Sequence, residues 1–428
     1  LFIVLYQCAA QNNTSHSDST FIVNDIFIVG NNKTKPFVIL REMSLQPGSY
    51  ITKGVIEYDK NRIYSLQLFN NVDIDVEPAE LNKVNLIVLI HERWYIYPFP
   101  VFGIKDRDWK KIFYGGGIIN INFRGRNEKI YAIGTLGYEP SLFLFYRNPQ
   151  IHYESNTFLE TSVGYSKSEN KSPSSVQPGE NFSLSTMSAS LNFGRRFGIS
   201  HTVGSGIAYQ IIKVSEFIPD RLLNPWGQDA FPIFNIAYKY DTRDLVDYSM
   251  YGTLISAKIN KYGLGQSNIN YWRYYLDYRR FIPIVNHLTL AARTYTAISS
   301  GSKIPSYNRV YLGYDERIRG HFRKLYEGEN VFGVSTELRF FIFPPITFKV
   351  DEIPIPEFSV WKFGIAAAIF ADAGTTWYLH QSFTFDRFKK GYGVGLHFLF
   401  PYSFVLRAEY AFNEYRQGEF ILDITAAF

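Results

Sequence analysis

The feature that most constrains this chain is a two-residue rhythm of apolar and polar side chains, sustained from Trp94 to Phe428. Ile119, Ile121 and Phe123 alternate with Asn120, Asn122 and Arg124, and Tyr392, Val394, Leu396, Phe398 and Phe400 with Gly393, Gly395 and His397. Phe404, Leu406, Ala408, Tyr410 and Phe412 alternate with Arg407, Glu409 and Asn413. The last segment sets Phe420, Leu422, Ile424, Ala426 and Phe428 on one face and Asp423 and Thr425 on the other. Successive side chains of a strand point to opposite faces, so each segment makes a strand with one apolar and one polar side. A soluble sandwich alternates too, and scale decides between the two. About sixteen such segments, many near 10 residues long with aromatics at their ends, match strands that cross a bilayer with their apolar side out. Lipid cannot satisfy an open sheet edge, so such a sheet must close. The expected fold is an all-β transmembrane barrel of about sixteen antiparallel strands.

Composition agrees. Aromatic residues make up 18% of the chain, nearly all Tyr (32) and Phe (37), while Met is 3. Charged residues are 19%, below the roughly 25% usual for soluble domains. Beyond the N-terminus there is no apolar run of about 18 residues, which excludes a helical membrane protein. A net charge of +5 with no dense basic run argues against a nucleic-acid partner. The single cysteine excludes a disulfide scaffold and a cysteine-based metal site.

Connection lengths give the strands a direction. If the first strand leaves outward, the Ser166–Asn181, Glu216–Ala230, Gly301–Glu329 and Thr375–Arg387 stretches fall on the far side. Short turns at Gly194–Gly198, Pro283–His287 and Pro401–Ser403 fall on the near side. Long outside and short inside is the habit of outer-membrane barrels. Pro344–Ser359 is the exception, a long stretch expected on the near side. Gly115-Gly116-Gly117 reads as a bulge or kink at a strand's start. Asp241 and Arg243 read as a local ion pair near a turn, and His91 beside Glu92 as a solvated strand end.

Residues 1–10 read as the remnant of a secretory signal peptide, with an apolar core before Cys8-Ala9-Ala10. Cleavage after Ala10 fits better than a lipidation site at Cys8, where Tyr6 and Gln7 are bulky in positions that want small residues. Residues 11–20 form a polar linker, and 21–92 a small α/β unit. There Phe21–Val29 is a strand, and Thr34 is placed to cap a short helix with Pro36 in its first turn. A second helix runs from Thr52 through Leu68, and strands Val72–Val76 and Val84–Ile90 follow, split by Pro78. The order is β-α-α-β-β. The stretch from Thr34 to Val76, above all Arg62-Ile63-Tyr64-Ser65-Leu66-Gln67-Leu68-Phe69, resembles a POTRA domain, a periplasmic module of outer-membrane assembly factors. By that resemblance Val72, Ile74 and Val76 lie on the free sheet edge where clients dock.

Residues 93–428 carry five further matches, in order. They are Tyr240-Asp241-Thr242-Arg243-Asp244, Arg317-Ile318-Arg319-Gly320-His321, Gly333-Val334-Ser335-Thr336-Glu337-Leu338-Arg339, Phe370-Ala371-Asp372-Ala373-Gly374 and the terminal Phe428. Together they are similar to the BamA/TamA-type superfamily of outer-membrane assembly and translocation barrels, the bacterial surface antigen family. The resemblance implies that the Gly301–Glu329 loop folds back into the lumen and sets its tip arginine, Arg319, against the wall. Strand parity turns Glu337 and Asp372 inward, which makes them the expected partners of a bidentate guanidinium. His321 departs from the family, which usually has Phe or Tyr there. Closure must pair a first strand near Tyr95–Ile104 with Phe420–Phe428. Pro98 and Pro100 lack N–H groups and Gly103 adds little packing, so this seam is the expected weak joint.

No nucleophile elbow, zincin helix or phosphate loop occurs, so the chain reads as a non-enzyme needing no cofactor and no metal. The resemblance implies a protein of the bacterial outer membrane with its POTRA domain in the periplasm. Its expected partners are unfolded outer-membrane or secreted client polypeptides, outer-membrane lipids and accessory lipoproteins. Insertion of barrel clients is the leading expectation. A two-partner-secretion-type translocator and a non-translocating barrel are the alternatives.

Overall fold

The computed structural model describes residues 21–104, 109–152, 154–170, 172–175, 182–215, 221–225, 227–264, 268–314, 316–350, 352–353, 359–401 and 404–424. The signal remnant, the polar linker, Cys8 and Phe428 lie outside them.

The N-terminal unit runs β1 (Ile22–Val29), α1 (Pro36–Leu40), α2 (Lys53–Tyr64), β2 (Phe69–Glu80) and β3 (Lys83–Glu92). Its sheet order is β1-β3-β2, with β3 parallel to β1 and antiparallel to β2, so β2 is an edge. Both helices cover one face of this sheet, burying Val38, Ile39, Ile63, Leu68, Leu86 and Val88. Thr52 caps α2 by accepting the Val55 N–H at 3.3 Å. Asp59, fully buried in α2, accepts the N–H groups of Ser44 (2.8 Å) and Leu45 (2.9 Å) and so fixes the turn between the helices.

Three local expectations are corrected here. Lys35, not Thr34, stands at the N-cap of α1. The Thr34 hydroxyl is drawn away to Tyr95 Oη and Asn122 Nδ2, both at 2.9 Å. The Glu92 carboxylate accepts the Lys33 and Thr34 N–H groups instead, so that strand end is tethered rather than solvated. Nor does Pro78 separate the two strands that follow the helices, because the first runs on to Glu80 and the second starts at Lys83. It sits inside β2 beside a register shift, where an edge strand tolerates a missing donor.

The remaining chain forms one 16-stranded antiparallel sheet in which each strand pairs with the next. It begins with Ile96–Ile104 and ends with Gly418–Ile424. The inner side carries Glu337, Arg339, His397, Arg407 and Glu409, all buried, while Tyr392, Val394, Tyr410, Phe420 and Leu422 face outward. Gly115-Gly116-Gly117 is no bulge, because its register with both neighbours is regular. A Cβ at Gly115 would sit 2.0 Å from the Gly134 carbonyl oxygen and one at Gly117 would sit 2.5 Å from the Phe99 ring, so these glycines permit close packing. The long stretch expected from Pro344 to Ser359 is shorter than it reads. Strand Asn330–Lys349 continues through both prolines, helped by register shifts between Phe341 and Ile346.

The N-terminal unit seats against one mouth of the barrel. Arg62 and Arg196 both donate to the Ile199 carbonyl, at 2.9 and 2.7 Å. Gln67 donates to Asp247 at 2.7 Å, and the Lys35 N–H to the Gly125 carbonyl at 2.8 Å. Toward the far mouth, Phe182, Ile212, Phe231, Tyr262, Tyr271 and Ile304 form a buried apolar cluster.

Candidate functional site

The loop from 302 to 329 joins strands Leu288–Gly301 and Asn330–Lys349. It carries a small ribbon of its own, Val310–Leu312 paired with Tyr326–Gly328. Leu312 and Ile318 pack with Tyr295, Ala297 and Val331 of the wall, which pulls the loop into the lumen. Its tip touches the wall backbone to backbone. Gly320 has φ +96° and its missing Cβ would lie 2.6 Å from the Phe412 carbonyl oxygen. A Cβ on Gly391 would lie 1.5 Å from the Arg319 carbonyl oxygen. Only glycine fits at either point.

That contact delivers the Arg319 guanidinium, 5% exposed, to three carboxylates. Nε and Nη2 fork onto Asp372 at 2.7 and 2.8 Å, and the backbone N–H adds a bond at 3.2 Å. Nη1 donates to Glu337 at 2.7 Å and to Glu409 at 3.0 Å. The guanidinium lies 3.6 Å from the Phe370 ring centroid, a cation–π contact shielded from water. Arg339 donates to Glu337 at 2.6 Å, and Arg407 to Glu409 at 2.8 Å and to Asp423 at 2.8 Å. His397 completes the group, with Nδ1 2.9 Å from Tyr248 Oη and Nε2 3.5 Å from Glu409. Glu337, His397 and Glu409 each offer a ligand atom within 4.8 Å of the others. The three arginines already supply the positive charge at these carboxylates and would repel a divalent ion.

The other element is the seam. Fifteen ladders join the sixteen strands, and among the described residues none joins Ile96–Ile104 to Gly418–Ile424. Within the described residues these strands span Ile96–Ile104 and Gly418–Ile424. Pro98 and Pro100 lie at the same parity of the first strand, so both missing donors fall on one edge. Gly103 leaves room for the Phe113 ring, while Phe420 faces outward at 60% exposure.

The barrel and the N-terminal β-α-α-β-β unit are each matched by a family model. The Omp85 superfamily domain model covers residues 122–424, and the POTRA model, described as a surface antigen variable number repeat, covers 21–93. The chain belongs to the Omp85 superfamily. It is similar to the outer membrane protein assembly factor BamA of Nitratidesulfovibrio vulgaris, 22% identical over 309 residues, 70% of this chain and 37% of that protein. It thus spans little more than a third of that relative's length. Its fold is also similar to two solved structures. BamA from Haemophilus ducreyi lacking POTRA domains 1–3 gives a TM-score of 0.56 at 16% identity, covering 95% of this chain and 84% of that one. CdiB from Escherichia coli gives 0.58 at 11%, covering 95% and 76%. The protein is an outer-membrane barrel, and its POTRA domain stands at the periplasmic mouth.

In this Omp85 barrel the sequence places Glu337 and Asp372 beside Arg319, and the structure brings all three together. Glu409, Arg339, Arg407 and His397 escaped the sequence argument, although the same parity turns each of them inward. What was missing was which strands stand next to the loop tip. Arg317 stays near the surface of the loop, donating to the Tyr314 carbonyl and lying over the Phe322 ring. His321 replaces apolar packing with polar links: Nε2 lies 2.5 Å from Glu414 and Nδ1 2.8 Å from Tyr326 Oη. Phe322 then donates its N–H to Glu419 at 2.7 Å. The loop therefore ties down the final hairpin, including the last strand.

The POTRA edge strand β2 holds Val72 buried and leaves Val76 40% exposed, with Ile74 between. At the periplasmic junction Glu42 is gripped by Arg196 (2.6 and 2.8 Å) and Arg62 (2.9 Å). Burial alone would raise its pKa, and the surrounding arginines overcome that to hold it at about 2. Asp241 and Arg243 make the expected local pair, at 2.9 and 3.0 Å.

Proposed function

We propose that this protein inserts client polypeptides, barrel proteins or translocated partners, into the outer membrane, using no enzymatic step and no cofactor. The observation that carries the reading is the missing ladder between the first and last strands among the described residues. An unpaired edge in a membrane sheet offers a ladder of backbone donors and acceptors to an incoming strand, the physics of β-augmentation. The arginine loop's role is to hold the final hairpin in place while its free edge stays available. The POTRA edge strand β2, with Val72, Ile74 and Val76, docks the unfolded client before it reaches the seam. Names of relatives support the reading: one is an outer membrane protein assembly factor.

Passage of a polypeptide through the lumen, the translocator alternative, fits less well. Phe231, Tyr271, Ile304 and their neighbours form a buried apolar cluster toward the far mouth, which a threading chain would have to disturb. Purified protein in liposomes, supplied with an unfolded barrel client, should raise the yield of folded, protease-resistant client above that of empty liposomes. An equal yield would contradict insertion. Appearance of soluble client inside or beyond the vesicle wall, without folded barrel, would favour translocation.

A further inference from the structure

The periplasmic junction contains a cavity of ≈ 250 Å³ that the insertion reading does not use. Its lining brings together six cationic side chains, Arg41, Arg62, Lys129, Arg147, Arg196 and Lys239, against two carboxylates, Glu42 and Asp241. Two of the six come from the POTRA helical face and four from barrel strands, so the walls belong to both domains. The carboxylates are already engaged: Glu42 by Arg62 and Arg196, Asp241 by Lys239 at 3.0 Å and by Arg243. Donor capacity is left over. Lys129 makes no hydrogen bond or ion pair among the described residues, and Nε of Arg62 is buried with no hydrogen-bond acceptor, while Nε of Arg41 has only the Glu42 carboxylate at 3.4 Å, beyond a good hydrogen bond. Lys129 and Arg147 stand directly opposite each other on neighbouring strands, an arrangement of like charges that destabilises a sheet. Arg147 reaches Glu160 at 3.2 Å, outside the cavity. Burial pushes the Arg41 guanidinium below its usual range; the neighbouring Glu42 opposes this, while Arg196 and Arg147 add to it, so three cationic side chains face one another here.

We infer that this cavity is a binding site for a phosphate-class oxyanion, either a free phosphate or diphosphate or a phosphate-bearing lipid headgroup, held between the POTRA domain and the barrel. A single carboxylate accepts through two oxygens and brings one charge. A phosphate group brings up to two charges and several oxygens, which suits guanidinium forks arriving from separate elements. Bound there, it would relieve the Lys129–Arg147 repulsion and bridge Arg41 and Arg62 to the wall. The site does not depend on the insertion reading.

The test is titration calorimetry of inorganic pyrophosphate into the full-length protein in detergent. The expected result is saturable binding that Lys129→Gln weakens on the order of tenfold, as loss of one charge-assisted contact does. Lys129→Gln with Arg147→Gln should weaken it further. Lys213→Gln, which removes the same charge near the far mouth, should leave it unchanged. The substitutions to Gln relieve repulsion rather than strand a charge, and the heat-modified gel band checks that each variant is folded. Repeating the titration in nanodiscs separates the sources. Competition by phosphatidylglycerol but not phosphatidylcholine assigns a lipid headgroup, and no competition assigns a soluble phosphate. Absence of pyrophosphate binding, or equal loss in Lys129→Gln and Lys213→Gln, overturns the site. Binding of a polyglutamate peptide where pyrophosphate does not bind overturns the phosphate assignment.

Discussion

Replacing Arg319 by alanine tests the loop clamp, and the structure sets the size of the effect. All three hydrogen bonds that Asp372 accepts among the described residues come from residue 319, two from the guanidinium and one from the backbone. Glu337 would keep Arg339 and Glu409 would keep Arg407. The alanine variant therefore strands one carboxylate, Asp372, which is 5% exposed, with a single backbone donor left. Breaking a buried pair from one side costs about 3–5 kcal/mol, and the surviving backbone bond places this case at the low end. For a large domain that corresponds to a drop in melting midpoint of roughly 5–10 °C. The assay is the heat-modified gel shift of the folded barrel, followed against temperature. Arg319→Lys keeps the charge but cannot fork onto Asp372 while reaching Glu337, so it should recover about half of the loss. Arg319→Ala with Asp372→Asn removes the stranded charge and should melt above Arg319→Ala alone. Equal midpoints for the native protein and Arg319→Ala would refute the reasoning. So would a double variant no better than the single one.

Three further outcomes follow from the same geometry. Gly391→Ala puts a methyl group onto the Arg319 carbonyl oxygen, so it should displace the loop tip and lower the gel-shift midpoint as Arg319→Ala does; an unchanged midpoint would contradict the close approach. Glu42 has a depressed pKa, about 2 against an ordinary 4.5, so its contribution, on the order of 3 kcal/mol, is complete above pH 4.5 and lost as pH falls toward 2. Hydrogen exchange in α1 should rise through that window in the native protein and not in Glu42→Gln, and parallel pH profiles would count against the clamp. Ile74→Pro removes a backbone donor from β2 and should weaken client crosslinking while the barrel's melting stays unchanged; undiminished crosslinking would rule out that edge as the docking strand.

The sequence carried the barrel further than it carried the site. Period-two alternation and connection lengths sufficed for sixteen strands and for the inward parity of Glu337 and Asp372, since both are local properties of a strand. Alternation could not show that Arg407 and Glu409, distant in sequence from Arg319, stand beside it, because that depends on how far the loop reaches across the lumen. Pro78 and the Pro344-Pro345 pair misled for a single reason. Proline signals a break where the ladder is fully paired, whereas an edge or a bulge absorbs it. Thr34 misled differently: its hydroxyl suits a helix cap, but Tyr95 and Asn122, far along the chain, compete for it. The glycines at 115–117 looked like a kink because glycine has two uses, and only the neighbouring Phe99 ring and Gly134 carbonyl reveal that here it makes room.

Lateral opening is tested most directly by locking the seam. One cysteine in Ile96–Ile104 and one in Gly418–Ile424, on a Cys8→Ser background, would bridge two strands that no ladder joins among the described residues. The oxidised protein should lose client insertion in liposomes, and reduction should restore it, with the same folded-barrel band in both states. Full insertion activity with the disulfide formed would contradict lateral opening and move the client's path into the lumen.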